Sequence, residues 1–173
     1  MASIPILPEW HQLHPLMVHF PIGLLLIAPL FILIGVLRSQ ESGRSFLLSG
    51  LLLILTGTAG LCAAAWSGTM AGSEAILNAQ LRAVLNQHRV YAETTRITFF
   101  ALTAIFAAIV ITPRLFSKTS TRVVTNVLPA VFLVLYTAGA VLLLQTVNTG
   151  GTLVHEYGVT GVGSSTGGGL ASR

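Results

Sequence analysis

Four long apolar stretches, separated by short polar segments, dominate the hydropathy pattern of this chain. They lie near residues 15–37, 46–70, 90–112 and 124–148. A helix needs about 20 mostly apolar residues to cross a hydrocarbon core of roughly 30 Å, and each stretch meets that length. The pattern predicts an all-α integral membrane protein, a four-helix bundle formed by a single domain over residues 1–157.

Two segments outside these stretches have patterns of their own. Between the second and third stretches, the segment Ser73 to Gln87 places apolar residues at helical spacing among polar ones. We expect a periplasmic amphipathic helix there, either lying on the membrane interface or running straight into the third span. Residues 158–173 are rich in glycine and serine and have almost nothing to bury, which is typical of a flexible tail.

The composition supports a membrane protein and argues against a nucleic-acid-binding one. Apolar residues make up 53% of the 173 residues and charged residues only 8%, whereas a soluble domain has about a quarter charged residues. The net charge of +4 comes from basic residues that lie mainly in loops between the apolar stretches. Cys62 is the only cysteine and lies inside an apolar stretch, so we expect it to pack in the bundle.

Basic residues in short loops predict the orientation in the bilayer. They follow the first and third stretches, at Arg38, Arg44, Arg114, Lys118 and Arg122. By the positive-inside rule these two loops are cytoplasmic. We therefore expect a multi-pass protein of a bacterial inner membrane, with both termini in the periplasm.

With this topology, all five histidines fall on the periplasmic side. They begin the first span, begin the third span and follow the fourth. Ionisable residues in or near the apolar layer are costly unless paired, so each is a functional hypothesis. We expect His11, beside Trp10, to join an interfacial belt and His155 to be a surface residue. The remaining three are His14, His19 and His88.

The depths predicted for these three histidines are compatible with a haem site. Counting back equally from the cytoplasmic ends of the spans at about 1.5 Å per residue places His14 level with His88 and places His19 deeper. Two histidines on different helices at one depth is the arrangement that a b-type haem with two axial imidazoles requires. We predict haem b and draw its two axial ligands from His14, His19 and His88, with His14 and His88 favoured.

Charged side chains of the third span lie near the predicted site. Arg89 or Arg96 is positioned to hold haem propionates, and Glu93 and Arg96 lie at the depth of His19. By default Glu93 and Arg96 neutralise each other at the membrane edge. An alternative is a quinone or proton site built on His19, Glu93 and Arg96.

Small residues on the second span recur every four positions, at Gly60, Ala64, Gly68 and Gly72. This places them in a row on one helical face, where another backbone is able to approach closely. Plain helix packing is the favoured interpretation, and close approach of a flat cofactor is the alternative.

The segment His14-Pro-Leu-Met-Val-His-Phe-Pro-Ile22 resembles the opening motif of a bacterial membrane family catalogued as domain of unknown function 2231. The end of the chain, Gly150-Gly-Thr-Leu-Val154 followed by Tyr157-Gly-Val159, is similar to the closing motif of that family, although His155 stands where an aromatic residue often follows. The resemblance covers nearly the whole chain and implies four spans with a histidine, here His88, opening the third. It also implies a redox setting, since similar members occur beside or fused to cytochrome c-like and Rieske-type domains.

Together these observations favour a membrane electron-transfer subunit that passes electrons between a periplasmic carrier and a membrane complex or quinone. The alternative is an accessory subunit of a larger respiratory or photosynthetic complex, with histidines that only make hydrogen bonds. The sequence has no G-x-S-x-G, no H-E-x-x-H and no phosphate-binding glycine loop, so we expect no independent catalytic activity.

Overall fold

The computed structural model describes residues 10–38, 40–73, 79–115 and 123–156. These residues form four long helices, α1 (Trp10–Leu37), α2 (Gln40–Ser73), α3 (Ala79–Leu115) and α4 (Leu128–His155), and a short π-helical turn, Val123–Val127, leads into α4. Among these described ranges no residue is in a strand. The predicted all-α class is confirmed, and the predicted tail at 158–173 lies outside the described residues.

All four helices are long and apolar enough to cross a membrane, over Met17–Leu37, Glu41–Met70, Gln80–Thr112 and Thr125–His155. They pack in a ring in which α1 contacts α2 and α4, and α3 contacts the same two helices. Helices α1 and α3 are therefore diagonal partners. Large apolar side chains on the outside remain exposed, among them Leu52, Ile97 and Val134, as expected for a surface that faces lipid.

The largest differences between the helices and the predicted spans are at the start of α3 and the end of α4. Helix α3 starts at Ala79, so residues 79–87 of the predicted amphipathic helix are the first turns of α3 rather than a separate helix. Residues 74–78 lie outside the described residues, and the periplasmic location remains a prediction. At 37 residues α3 is about 55 Å long, which exceeds the hydrocarbon core. Helix α4 continues through Gly150 and Gly151 to His155, past its predicted end at 148.

Aromatic and aliphatic side chains fill the centre of the bundle. Phe99, Phe106 and Tyr136 are almost fully buried, together with Leu25 and Ile54. These residues come from all four helices, so the core is shared by the whole ring. No buried side-chain nitrogen or oxygen in the described part of the chain is left without a hydrogen-bond partner, as membrane interiors require.

Each pair of neighbouring helices is joined by a side-chain hydrogen bond. The hydroxyls of Thr58 and Thr103 lie 2.9 Å apart between α2 and α3, and the Tyr136 hydroxyl donates to the Leu25 carbonyl of α1 at 2.7 Å. The other two pairs, α1 with α2 and α3 with α4, are joined through histidines.

Candidate functional site

The candidate site lies at the end of the bundle where α1 and α3 begin and α2 and α4 end. We call this the histidine end. His14 lies in the first turns of α1 and His88 early in α3, so they come from the two diagonal helices. The exposed residues Arg38 and Arg44 lie at the opposite end. Because neighbouring helices are antiparallel, sequence positions far apart meet at this one end.

The His14 ring is held by α2. Its Nδ1 lies 2.8 Å from the Ser67 hydroxyl, which is fully buried and donates its own proton to the Ala64 carbonyl at 2.9 Å. A Cβ added at Gly68 would lie 3.0 Å from Cε1 of the same ring. The missing side chain at Gly68 therefore makes the space in which the imidazole rests.

The His88 ring is held in the same way by α4. Its Nδ1 lies 3.1 Å from the Thr149 hydroxyl, and that hydroxyl donates to main-chain carbonyls of α4, 3.1 Å from Gln145 O and 3.0 Å from Thr146 O. The Thr146 carbonyl also accepts a hydrogen bond from the His88 ring. A Cβ added at Gly150 would lie 3.1 Å from His88 Cε1.

These contacts favour one hydrogen-bonding role for Nδ1 of both histidines. Ser67 and Thr149 commit their protons to carbonyls of their own helices, so each hydroxyl oxygen acts as an acceptor toward the ring. With the hydroxyls in that role, Nδ1 of His14 and His88 is the nitrogen that donates to them, as it does in one of the two neutral tautomers and in the protonated ring. In that neutral tautomer Nε2 carries the lone pair that ligates a metal or accepts a proton.

Electrostatics also favour a neutral His14, which lies just before the apolar span of α1. Burial lowers the pKa of His14 below its usual value near 6.5, and the positive charge of a protonated His88 lowers it further. His14 and His88 both lie at the histidine end, one held by α2 and the other by α4. That they form one site remains a prediction.

His19, Glu93 and Arg96 lie on other surfaces of their helices. His19 is exposed on α1, and Glu93 is exposed on α3. Arg96 makes an ion pair with Glu93 at 2.7 Å within the same helix, so the default expectation for that pair is confirmed. A quinone or proton site on these three residues remains a prediction.

The other predicted site residues are placed as follows. Arg89 is exposed on α3 beside His88, and His155 is exposed at the end of α4, as a surface residue would be. His11 belongs to α1, and its side chain lies outside the described part. Within the described residues no group of three or more His, Cys, Asp or Glu side chains is arranged to hold a metal ion.

Four residues that contact the two histidine rings were not predicted from the sequence. They are Ser67, Gly68, Thr149 and Gly150. The available signal was a hydroxyl residue followed by glycine near the end of both even-numbered helices. Gly68 belongs to the small-residue row of α2. That row packs against α1, since a Cβ added at Gly60 would lie 2.8 Å from Pro21 Cβ, which supports plain helix packing there.

Comparison with known proteins supports the resemblance seen in the motifs. The model of a family described as "Predicted membrane protein (DUF2231)" matches residues 10–163. The match includes His14, His88 and both hydroxyl-glycine pairs. No curated protein and no solved structure matches the chain.

Proposed function

The chain belongs to the family of predicted membrane proteins catalogued as domain of unknown function 2231, and we propose that it is a membrane electron-transfer subunit that binds haem b through His14 and His88. One observation carries the proposal: Nδ1 of each ring lies at hydrogen-bond distance from a hydroxyl, 2.8 Å in His14 and 3.1 Å in His88, so Nε2 is the nitrogen of each ring that is left for a ligand. Haem iron takes one such nitrogen on each ring face.

The residues present fit a haem better than a bare metal ion. A structural zinc site needs four protein ligands and a catalytic one three, whereas haem supplies four nitrogen ligands and needs only two more. Two histidines from diagonal helices satisfy that need. A hydrogen bond from Nδ1 to a neighbouring acceptor is also what orients metal-bound histidines elsewhere. When bound, the haem would supply one-electron redox chemistry.

The remaining roles follow from the surroundings of the two histidines. Arg89 is exposed and next to His88 in sequence, so we assign it as the partner of a haem propionate in preference to Arg96, which is paired with Glu93. The basic loops support a periplasmic location of the histidine end in a bacterial inner membrane. A site near the periplasmic face suits exchange of electrons between a periplasmic carrier and a membrane complex or quinone.

The test is a reduced-minus-oxidised absorption spectrum of the full chain, purified from cells supplied with ample haem. We expect a b-type spectrum in the unmodified protein, and its loss in His14→Ala and in His88→Ala. His155→Ala is the matched control, since this exposed histidine lies beyond the site, and it should keep the full spectrum. Size-exclusion chromatography in detergent verifies that each variant is folded.

Two outcomes would overturn the proposal. A folded, colourless protein would exclude haem and favour the accessory-subunit alternative, in which the histidines only join helices. A spectrum retained in both His14→Ala and His88→Ala, but lost in His19→Ala, would move the ligands to the deeper histidine.

A further inference from the structure

The two halves of the bundle contain the same three-residue unit. In each half a histidine from the odd-numbered helix meets a hydroxyl residue and the following glycine on the next helix. The units are His14 with Ser67 and Gly68, and His88 with Thr149 and Gly150. We call each a histidine cradle. The distance from the histidine Cε1 to a Cβ added at the glycine is 3.0 Å in one cradle and 3.1 Å in the other.

The hydroxyl of each cradle also donates to a main-chain carbonyl of its own helix. Ser67 is bonded to the carbonyl three residues earlier, Ala64 O, and Thr149 to the carbonyls three and four residues earlier. Such back-bonding uses the only proton that a hydroxyl has. While the hydroxyl keeps that bond, an imidazole with the proton on Nε2 would present a lone pair to an oxygen that has no second proton to donate.

The glycine of each cradle fixes the ring position. A methyl group at either position would come within 3.0–3.1 Å of Cε1, which is closer than ordinary van der Waals contact between carbon atoms. The imidazole would have to move by a few tenths of an ångström, and the Nδ1 hydrogen bond would lengthen. Two groups therefore constrain the same ring. The hydroxyl constrains its tautomer, and the glycine constrains its position.

We infer that Ser67 and Thr149 are positioning residues that hold His14 and His88 in the Nδ1–H tautomer and thereby present two Nε2 lone pairs to a shared ligand. The identity of that ligand as haem rests on the proposed function, but the tautomer does not. Each hydroxyl acts through one histidine only, so the two effects are separable.

The first test reads the tautomer directly, by nitrogen-15 NMR of the full chain with labelled histidine, purified without haem. We expect the Nδ1–H form for both residues, assigned with His14→Gln and His88→Gln. Ser67→Ala should release the tautomer of His14 alone. Thr149→Ala should shift the tautomer populations of His88 alone, and by less, because the Thr146 carbonyl still accepts a hydrogen bond from that ring. Ser67→Thr and Thr149→Ser keep a hydroxyl and should restore the original signals.

Matched controls exist on the same helices. Thr69 donates to the Trp66 carbonyl and Thr152 to the Asn148 carbonyl, so each repeats the back-bonded hydroxyl from an exposed position. Thr69→Ala and Thr152→Ala should leave both histidine signals unchanged. An Nε2–H tautomer in the unmodified protein, or a Ser67→Ala variant with an unchanged His14 signal, would overturn the inference.

The second test separates this inference from the haem proposal. If haem binds, Ser67→Ala and Thr149→Ala should weaken its affinity about 10–100-fold, the usual effect of removing the partner of a ligating histidine, with no such loss in Thr69→Ala. If the tautomers behave as expected but no haem binds, the positioning role stands and the haem proposal falls. Haem affinity equal in all these variants would show that the hydroxyls do not position the ligands.

Discussion

The α1–α2 pair and the α3–α4 pair pack by different means. Along α1–α2 glycines of α2 allow close approach, because an added Cβ would lie within 2.7–2.8 Å of side chains of α1. The contacts are Gly50 with Ile32, Gly57 with Leu25, and Gly60 with Pro21. Small residues at a helix interface are a common solution in membranes, where van der Waals packing rather than exclusion of water drives association.

Between α3 and α4, one close glycine, Gly139, where an added Cβ would lie 2.7 Å from Leu102 Cδ1, is accompanied by aromatic rings. Phe106 and Phe132 stack with ring centroids 4.5 Å apart, and Phe99 meets Tyr136 edge to face at 5.5 Å. A hydrogen bond of 2.8 Å between the hydroxyls of Thr95 and Thr146 lies nearer the histidine end. This pair therefore fills its interface with large side chains.

Both helix pairs nevertheless have a histidine cradle at the histidine end of their interface. If the cradles were a by-product of helix packing, two interfaces packed so differently would not be expected to repeat a histidine, a hydroxyl acceptor and a glycine in equivalent positions. The residues that pack the helices against each other are therefore distinct from the hydroxyl and glycine residues that hold the histidine rings. We expect variants of the packing layers to change stability without selecting between the two tautomers.

The largest expected effect of a single change is on the aromatic pair. Phe132→Ala removes the stacking partner of Phe106 from a buried position. We expect a loss of about 2–3 kcal/mol in free energy of unfolding, below the 3–5 typical of soluble cores because lipid also solvates the exposed ring. Reversible unfolding in mixed detergent micelles measures it, with Val134→Ala, an exposed position on the same helix, as control. Equal losses in both variants would contradict close packing of α3 on α4.

A smaller but distinct effect is expected between α1 and α2. A Cβ at Gly43 would lie 2.5 Å from the carbonyl oxygen of Gly35, a main-chain atom that cannot rotate away. Gly43→Ala should therefore separate the helix ends and destabilise the protein by about 1–2 kcal/mol.

The matched control for Gly43→Ala is Gly23→Ala in α1, where an added Cβ meets nothing within 4 Å. This variant should be neutral or stabilising by up to about 1 kcal/mol, because alanine is the better helix former. The same unfolding assay compares the two. A Gly43→Ala variant as stable as Gly23→Ala would show that the glycine faces of α1–α2 are not closely packed.

The four-helix architecture was predictable because the bilayer imposes a length and an apolar composition on every span. The depth argument predicts His14 level with His88, since helices that cross one membrane share its end planes, and both histidines lie at the histidine end. Helix ends were harder to predict. The fourth span was predicted to end at residue 148, but α4 continues through Gly150 and Gly151, where the His88 ring lies over Gly150.

The partners of the histidines lay beyond sequence reasoning for a physical reason. Ser67 is 53 positions from His14 and Thr149 is 61 positions from His88. Counting residues along the spans gives the depth of a hydroxyl, and several hydroxyls near the end of the correct helix have a suitable depth. Rotation of each helix about its axis selects among them, and side-chain packing sets that rotation. The Glu93–Arg96 pair was predictable, because a spacing of three places both on one face of a helix.

The smallest expected effect concerns pH and tests the α1–α2 cradle by itself. Burial, and then the charge of His88, lowers the pKa of His14 in the folded protein, while an unfolded histidine titrates near 6.5. As pH falls below about 6.5, the unfolded state binds a proton that folded His14 resists, so stability declines with acidification, by at most about 1.4 kcal/mol per pH unit for one group. Unfolding measured between about pH 7.5 and about pH 5.5 should show this slope reduced in His14→Gln and retained in His155→Gln. Equal slopes in the two variants would mean that His14 is solvated in the folded state. The α1–α2 cradle would then not shield the hydrogen bond between His14 and Ser67 from water.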